Sequence, residues 1–511
     1  MQATLDDYLR YNVAHFGGRI AATIDDDALT YRQLAGMVDA ARQLIGAQIA
    51  PGDRVALWLP NSFAWIASFL AITALGGVLV PVNTRLTGPE LAVILEDAGV
   101  RVLITTPAYR GRNYLAEARD LCGSRVETII AAPKGAMPPD WQVSQAAAGT
   151  RGEPLSDHQD VFCIQYTSGT TSRPKGVMLT QSIYVHGARY VVHCQRLTPL
   201  SSFMSAAPFF HCSGSMHALT TCLVAGATLH SVSAWDPDYF VNLVERHRGD
   251  TGHGIFFRDI VALGAAATRE KLATLKVAND IEPPEFLARL AQEFGVTGIA
   301  NIYGMTETGG NLTMWFPDDP FEKRITGNGR PQPPNQIRIV DAETGTPRGP
   351  DQPGEIQMRG PTITPGYYKR PEANAAAFTA DGWFRSGDAG LLSAEGELRY
   401  LARARDVIRV GGENVAPAEI EQALCEETGL KLISVVGVPD ERLGEVAAAI
   451  ALASENVDWR QVLDKVRARL AGFKMPRQVY VTDTMPMTAT NKVQRATLRQ
   501  WIAESRLTRI I

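Results

Sequence analysis

Residues 166–180 read Tyr-Thr-Ser-Gly-Thr-Thr-Ser-Arg-Pro-Lys-Gly-Val-Met-Leu-Thr. Five hydroxyls, on Thr167, Ser168, Thr170, Thr171 and Ser172, surround Gly169, and Lys175 stands before Gly176. Small residues let a backbone curl closely around an anion, so that successive N–H groups point into the concavity. The hydroxyls add donors, and Lys175 adds a mobile positive charge. Just upstream, Val161–Gln165 reads as a buried strand. A strand that runs into a Gly/Ser/Thr loop is a phosphate cradle. It is not a Walker loop, which needs Gly-Lys-Ser/Thr opening a helix; here Gly176 follows the lysine and Val177 comes next. The bland alternative, a polar surface loop, seldom combines a leading strand, five hydroxyls and a Pro-Lys-Gly exit.

Other stretches carry groups that suit the rest of a nucleotide. Residues 299–308 read Ile-Ala-Asn-Ile-Tyr-Gly-Met-Thr-Glu-Thr. Tyr303 can stack on a purine, Gly304 lets a ligand approach the backbone, and Thr306 can bond a phosphate oxygen. Glu307 is a hard anionic oxygen donor suited to Mg²⁺, with a solvated loop carboxylate as the alternative. In Asp-Gly-Trp-Phe-Arg-Ser-Gly-Asp, residues 381–388, Asp388 can accept both hydroxyls of a ribose. Pro208-Phe209-Phe210-His211-Cys212-Ser213-Gly214 presents His211, which on its own reads as well as a packed core histidine. Lys492, within 486–495, reads on its own as an exposed loop cation, as most lysines are.

Taken together and in order, these motifs closely resemble those of the adenylate-forming superfamily, and within it the acyl-CoA synthetase branch. Tyr303-Gly304-Met305-Thr306-Glu307 matches the family's motif residue for residue, and Gly382-Trp383-Phe384-x-Ser386-Gly387-Asp388 resembles its ribose-binding segment. The resemblance implies that Thr167, Ser168, Gly169, Thr170, Thr171 and Lys175 hold phosphate, and that Tyr303, Gly304, Met305 and Asp388 hold the nucleoside. Arg403 is then a ribose or phosphate contact, Asp406 a hinge, and Gly411, Gly412 and Glu413 part of the coenzyme A site. It further implies that Thr306, Glu307 and Lys492 serve catalysis, with Glu307 on the metal. An aromatic-His pair such as Phe210-His211 borders the acyl pocket and the path of the thiol. Peptide-synthetase relatives usually place an aspartate there for an amino group, so a carboxylic acid without an α-amine is expected here. The implied cofactors are ATP/AMP, Mg²⁺ and coenzyme A. The partners are a small carboxylic acid or its acyl-adenylate and, since family enzymes are often dimers, a homodimer.

The elements that must position these groups alternate. Leu29-Thr30-Tyr31 starts a helix running through Leu34–Ile49; Arg54–Leu59 is a strand; Phe63–Leu75 is a helix; Gly77–Val82 is a strand; Leu91–Ala98 and Val100–Thr105 repeat the pattern. Alternating β and α units predict a parallel sheet with helices on both faces. Near the C-terminus, strands are expected over Leu432–Val436 and Ala447–Leu452, with helices over Pro417–Leu424 and Trp459–Leu470. The expected fold is α/β. A large N-terminal domain of stacked αβ sheets plus a β-barrel-like part spans 1–405, and a small mobile α+β domain spans 406–511. The 511 residues are 45% hydrophobic and 20% charged, with a net charge of -4, which gives bulk electrostatics no reason to attract nucleic acid. Six scattered cysteines form no CxxC pair, so neither zinc nor a disulfide framework is indicated, and a cytoplasmic location fits. The apolar stretch 63–80 is broken by Gly76 and Gly77, so no membrane span is expected.

One stretch departs from the family. Where it usually carries a Gly-Gly-Ala-Pro-like turn against the adenine, this chain has Ala278-Asn279-Asp280-Ile281. Side chains on Asn279 and Asp280 either fill the adenine slot or narrow the acyl pocket. Two functions follow. The leading one is acid + ATP + CoA giving acyl-CoA, AMP and pyrophosphate. The alternative keeps only transfer from a preformed acyl-adenylate to CoA. Phe256, Phe257, His211 and Trp315 suggest an aromatic-lined pocket for an aromatic or bulky alicyclic acid, although aromatic residues are also ordinary core residues.

Overall fold

The computed structural model describes residues 3–122, 126–135, 137–145, 161–167, 174–282, 284–341, 344–403, 408–415, 417–430, 432–453, 457–487 and 493–511. Two compact units emerge: residues 1–84, 95–165 and 176–402, and residues 85–94, 166–175 and 403–511.

In the larger unit the predicted alternation produces two seven-stranded sheets. The first runs in the order Gly298–Asn301, Val277–Asp280, Thr251–His253, Ser202–Met204, Thr228–Ser231, Ile20–Ile24 and Asp27–Thr30. Its neighbours pair in parallel except the last two strands, which are antiparallel. The second runs Gln142–Gln145, Thr128–Ala131, Val100–Thr105, Arg54–Trp58, Val78–Pro81, Val161–Thr167 and Lys175–Thr180. The strand ahead of the hydroxyl-rich loop is therefore a sheet member, and the strand after the loop continues the same sheet.

Local chemistry sets the helices. Thr30 caps the helix Tyr31–Gly46: its hydroxyl accepts from the Gln33 N–H at 3.2 Å, and the Gln33 side chain accepts from the Thr30 N–H at 2.9 Å. Ser62 caps Phe63–Ala74, in which every residue from Ala64 to Thr73 is buried. That helix is only 12 residues long, and no described helix is long and apolar enough to cross a membrane. A single core joins Ala22, Phe203 and Leu229 of the first sheet to Val55, Leu79 and Ile104 of the second, through Leu34, Val38, Phe69 and Ile183 of the helices. Burial on all sides of Phe63–Ala74 explains its continuous apolar sequence. The part expected to be barrel-like is a four-stranded sheet, Gln336–Val340, Gly354–Arg359, Phe384–Leu392 and Leu398–Arg403, whose first three strands pair antiparallel.

The smaller unit is built on Gly444–Leu452. It pairs antiparallel with Ile433–Asp440 and parallel with Gln478–Thr482. Successive residues of this strand point to opposite faces. Ala447, Ala449 and Ala451 join one core with Ile420, Leu424 and Val466, whereas Val446, Ala448 and Ile450 join another with Leu498. The helices are Pro417–Thr428, Trp459–Arg467 and Arg495–Ala503.

Asn61, in the turn after Arg54–Trp58, fastens the segment that leads to His211. Its amide donates to the Ala207 carbonyl at 3.0 Å and to Ser231 Oγ at 3.2 Å, and its Oδ1 accepts from the Phe209 N–H at 2.7 Å. Replacement by alanine strands buried backbone groups, which typically costs 1–3 kcal/mol. Asn61→Ala is expected to lower the unfolding free energy by about 2 kcal/mol in a urea titration, with an unchanged m-value.

Candidate active site

The short strand Gly298–Asn301 delivers Tyr303 to the site. Tyr303 is buried, and its hydroxyl donates to Asp388 Oδ2 at 2.8 Å. Burial and the Asp388 carboxylate push this phenol well above its usual range, so it stays a donor. Asp388, 5% exposed, sits within Phe384–Leu392, and its N–H donates to Ser386 Oγ at 3.0 Å. Tyr400 stacks beside Tyr303 with ring centroids 5.9 Å apart. Glu307, 8% exposed, is held in a parallel way: the Tyr367 hydroxyl donates to its Oε1 at 2.8 Å, and its carbonyl accepts from the Thr364 N–H at 2.7 Å. Thr364 also bonds the Met178 carbonyl at 2.6 Å, which ties this region to the strand that follows the hydroxyl-rich loop.

The turn through Thr306–Thr308 needs its glycines. Gly309 and Gly310 have φ of 70° and 98°, and a Cβ on Gly310 would lie 2.8 Å from Cys212 Cβ. At Gly304 a Cβ would meet the Gly310 carbonyl oxygen at 2.5 Å, so the chain itself packs closely there. Met305 accepts the turn-closing bonds from Thr308, and Thr306 is buried.

His211 lies in a tight turn. Its Nδ1 accepts from the Ser213 N–H at 3.2 Å, and its carbonyl accepts from Ser215. His211 is partly exposed. Gln165 donates to the Phe210 carbonyl at 2.9 Å, tying this turn to the strand Val161–Thr167. The wide π-helical run Ser213–Thr220 follows. From it, His217 stacks on His253 of the strand Thr251–His253, with centroids 3.6 Å apart.

Ala278–Asp280, which stand where the family usually carries a turn, are strand here, paired with Thr251–His253 on one side and Gly298–Asn301 on the other. Asn279 is 2% exposed. Burial, with the Glu282 carboxylate beside it, pushes Asp280 up to about 7. Two of the four aromatic-pocket residues are core: Phe257 packs with Leu272, Leu275 and Leu287, and Trp315 donates to the Gly327 carbonyl at 3.1 Å.

In the smaller unit, Gly411 and Gly412, at φ of 54° and 84°, form the two-residue turn between Ile408–Val410 and Glu413–Val415. Positive φ at both central residues is what such a hairpin demands. Glu413 opens the second strand and faces Arg85 at 3.5 Å. Thr167 ends one strand and Lys175 opens the next, each partly exposed. Ser168, Gly169, Thr170, Thr171, Asp406 and Lys492 lie outside the described residues, as does the side chain of Arg403.

A family model for AMP-binding enzymes matches residues 9–368, and that for the AMP-binding enzyme C-terminal domain matches 419–492. The chain belongs to the AMP-binding enzyme family. Within the adenylate-forming superfamily it lies on the acyl-CoA synthetase branch, and by class it is a ligase. The chain is similar, at 33% identity over 98% of both chains, to 3-[(3aS,4S,7aS)-7a-methyl-1,5-dioxo-octahydro-1H-inden-4-yl]propanoyl:CoA ligase of Mycobacterium tuberculosis. Feruloyl-CoA synthase of Amycolatopsis sp is 33% identical over 93% of this chain and 94% of its own. Among solved structures, a double mutant of o-succinylbenzoate CoA synthetase from Bacillus subtilis, bound with its product analogue, superposes with a TM-score of 0.84 at 26% identity, covering 99% of both chains. These similarities carry the α/β fold expected from sequence, with its large N-terminal and small C-terminal parts.

Motif reading of this AMP-binding enzyme singles out Tyr303, Glu307 and Asp388 as candidates; it does not single out Tyr367, whose hydroxyl donates to Glu307, nor the His217–His253 stack. Pro-Gly-Tyr-Tyr at 365–368 carries no chemical signal of its own, and the two histidines come from separate segments of the chain.

The histidine pair has a consequence for stability. Burial lowers His253 to about 4 and holds His217 well below its ordinary 6.5. Their folded values are depressed, so above about 6.5 both states are neutral and nothing is lost. As pH falls from there toward 4, the unfolded chain takes protons that the folded one refuses, and stability declines. Urea titrations between pH 6.5 and 5 are expected to show that decline, and His217→Phe is expected to make it shallower by up to about 1.4 kcal/mol per pH unit.

Proposed function

We propose that this enzyme is an acyl-CoA ligase that joins an aromatic or bulky alicyclic carboxylic acid to coenzyme A through an acyl-adenylate. The observation that carries the reading is the pair of buried carboxylates, Glu307 and Asp388, each accepting a tyrosine hydroxyl at 2.8 Å. Asp388 is poised for the ribose hydroxyls, with Tyr303 beside it for the purine. Glu307 faces the phosphates. A relative acting on a bicyclic alicyclic propanoyl group, and another named for its feruloyl product, support the acyl class.

In the first half-reaction a carboxylate oxygen of the acid attacks the α-phosphorus of ATP, and pyrophosphate leaves. Negative charge grows on the phosphate oxygens, and preorganised donors stabilise it. Those donors are the hydroxyls and amides of Thr167, Ser168, Gly169, Thr170 and Thr171, the ammonium groups of Lys175 and Lys492, and Thr306. Mg²⁺ fits Glu307, a hard oxygen ligand, and would supply charge neutralisation. No group of three metal-ligating side chains occurs among the described residues, which suits an ion held largely by substrate phosphate and water. In the second half-reaction the sulfur of coenzyme A, having lost its proton, attacks the anhydride carbonyl, and AMP leaves. His211 borders that path, and Gly411, Gly412 and Glu413 serve the pantetheine arm. A domain of residues 406–511 turning about Asp406 would bring Lys492 for the first step and the Gly411–Gly412 turn for the second. Buried free cysteines at 163, 194, 212 and 222 fit a reducing cytoplasm.

A second reading, transfer from preformed acyl-adenylate alone, draws on Asn279 and Asp280, where relatives carry small residues. One experiment separates the two. Supplied with ATP, CoA and a panel of ring-bearing acids, the enzyme is expected to release AMP and pyrophosphate in step with thioester. Turnover of synthetic acyl-AMP with CoA, in the absence of any ATP–pyrophosphate exchange, would favour the second reading. Lys492→Ala is expected to slow the ATP-dependent reaction by about 10²–10³-fold while leaving thioester formation from acyl-AMP within a few-fold of wild type. Equal loss in both assays would contradict the role given to Lys492. Glu307→Gln is expected to lower kcat by a similar factor and to raise the Mg²⁺ concentration needed for half-maximal rate.

A further inference from the structure

Glu307 is gripped at two points by one short segment, residues 364–368. Its carbonyl accepts from the Thr364 N–H at 2.7 Å, and its Oε1 accepts from the Tyr367 hydroxyl at 2.8 Å. The same segment lies along the strand Lys175–Thr180, which leaves the hydroxyl-rich loop. The Met178 N–H donates to the Gly366 carbonyl at 3.0 Å, and the Tyr368 N–H donates to the Gly176 carbonyl at 2.8 Å. Between these two bonds Tyr367 stands opposite Val177 in an antiparallel bridge.

That register decides how Tyr367 is held. At the non-hydrogen-bonded position of an antiparallel pair, a residue's own N–H and C=O point away from the facing strand. Asn374, on the helix Pro371–Ala377, takes both. Its Oδ1 accepts from the Tyr367 N–H at 2.6 Å, and its Nδ2 donates to the Tyr367 carbonyl at 3.0 Å. Both main-chain groups are thus satisfied, as an ordered chain requires. The ring packs against two hydrophobic cores, the one shared by the seven-stranded sheets and the one containing Tyr303, Ile356 and Phe384. With backbone and ring both fixed, the hydroxyl is fixed too. It restrains rotation of the Glu307 carboxylate, so the carboxylate's lone pairs face set directions.

We infer that Tyr367 is a positioning residue for the metal-assisted step: it holds Glu307 in the orientation that receives the cation accompanying ATP, and the strand leaving the hydroxyl-rich loop holds Tyr367 in turn. This rests on the acyl-CoA ligase reading and adds to it a residue that acts through Glu307 rather than on substrate. Contacts that orient a ligating carboxylate typically change metal affinity or activity by about 10–100-fold when removed.

The test reads binding rather than turnover. Affinity for α,β-methylene-ATP, which cannot lose pyrophosphate, is measured by calorimetry in Mg²⁺ and in EDTA. In the wild type Mg²⁺ is expected to tighten binding, and the ratio of the two affinities reports the metal contact. Tyr367→Phe keeps the ring and both backbone bonds. It is expected to shrink that ratio by about 10-fold, with binding in EDTA within about threefold of wild type. Glu307→Gln removes the ligand itself, and adding Tyr367→Phe to it should change the ratio no further, because the hydroxyl acts through that carboxylate. An unchanged ratio in Tyr367→Phe overturns the inference. So does an equal loss of affinity with and without the metal, which is what a merely structural residue would give, and so does a further loss in the double variant. A wild type whose binding ignores Mg²⁺ overturns it as well. The ligase reading fails separately: no thioester from any acid or acyl-adenylate would defeat it, while the ratio and its loss in Tyr367→Phe would still be measured.

Discussion

Two carboxylates kept out of water by their own protein set the terms for this enzyme. Glu307 and Asp388 are nearly buried, and a buried carboxylate is tolerated only when its oxygens are occupied. Tyr367 and Tyr303 each supply one hydroxyl bond, and backbone and side-chain contacts to Thr364 and Ser386 fix the surrounding chain. The consequence is a pair of anionic groups with defined orientation before any ligand arrives. Acceptors fixed in this way can take hydrogen bonds or a cation without first rearranging.

The sheets exist, in effect, to bring these groups together. Tyr303 and Glu307 follow the edge strand of one seven-stranded sheet; Asp388 comes from the separate four-stranded sheet. The segment through Gly304–Gly310 is packed tightly, and a Cβ at Gly304 or Gly310 would clash with its neighbours. The His211 turn is secured from two directions, by Asn61 and by Gln165, both reaching backbone groups of the 207–210 segment.

What could be read in the sequence was local. Thr30–Gln33 is a capping box written out in four residues, and the helix begins there. Gly411–Gly412 between short β-rich runs is a tight hairpin turn. The nucleotide motifs are contiguous, so Tyr303, Glu307 and Asp388 stand out as candidates from residue chemistry and spacing, and the structure buries all three. What could not be read depended on pairing between distant segments. Nothing local to Ala278–Asp280 announces a strand flanked on both sides. Phe257 and Trp315 are aromatic in either role, pocket or core, and only their neighbours decide. The stacking of His217 on His253 joins segments far apart in the chain.

The claim on which the account stands is that Asp388 reads the ribose of an acyl-adenylate. Calorimetric titration with an acyl-sulfamoyl adenosine and with its 2′,3′-dideoxy counterpart, into the wild-type enzyme and Asp388→Ala, isolates that contact. The account predicts that removing the two hydroxyls weakens binding to the wild type by about 10²-fold, in keeping with hydrogen bonds to a charged acceptor, and changes binding to Asp388→Ala by less than about threefold. Equal losses in the two proteins would mean that the ribose is held elsewhere, and the assignment of this site would have to be given up.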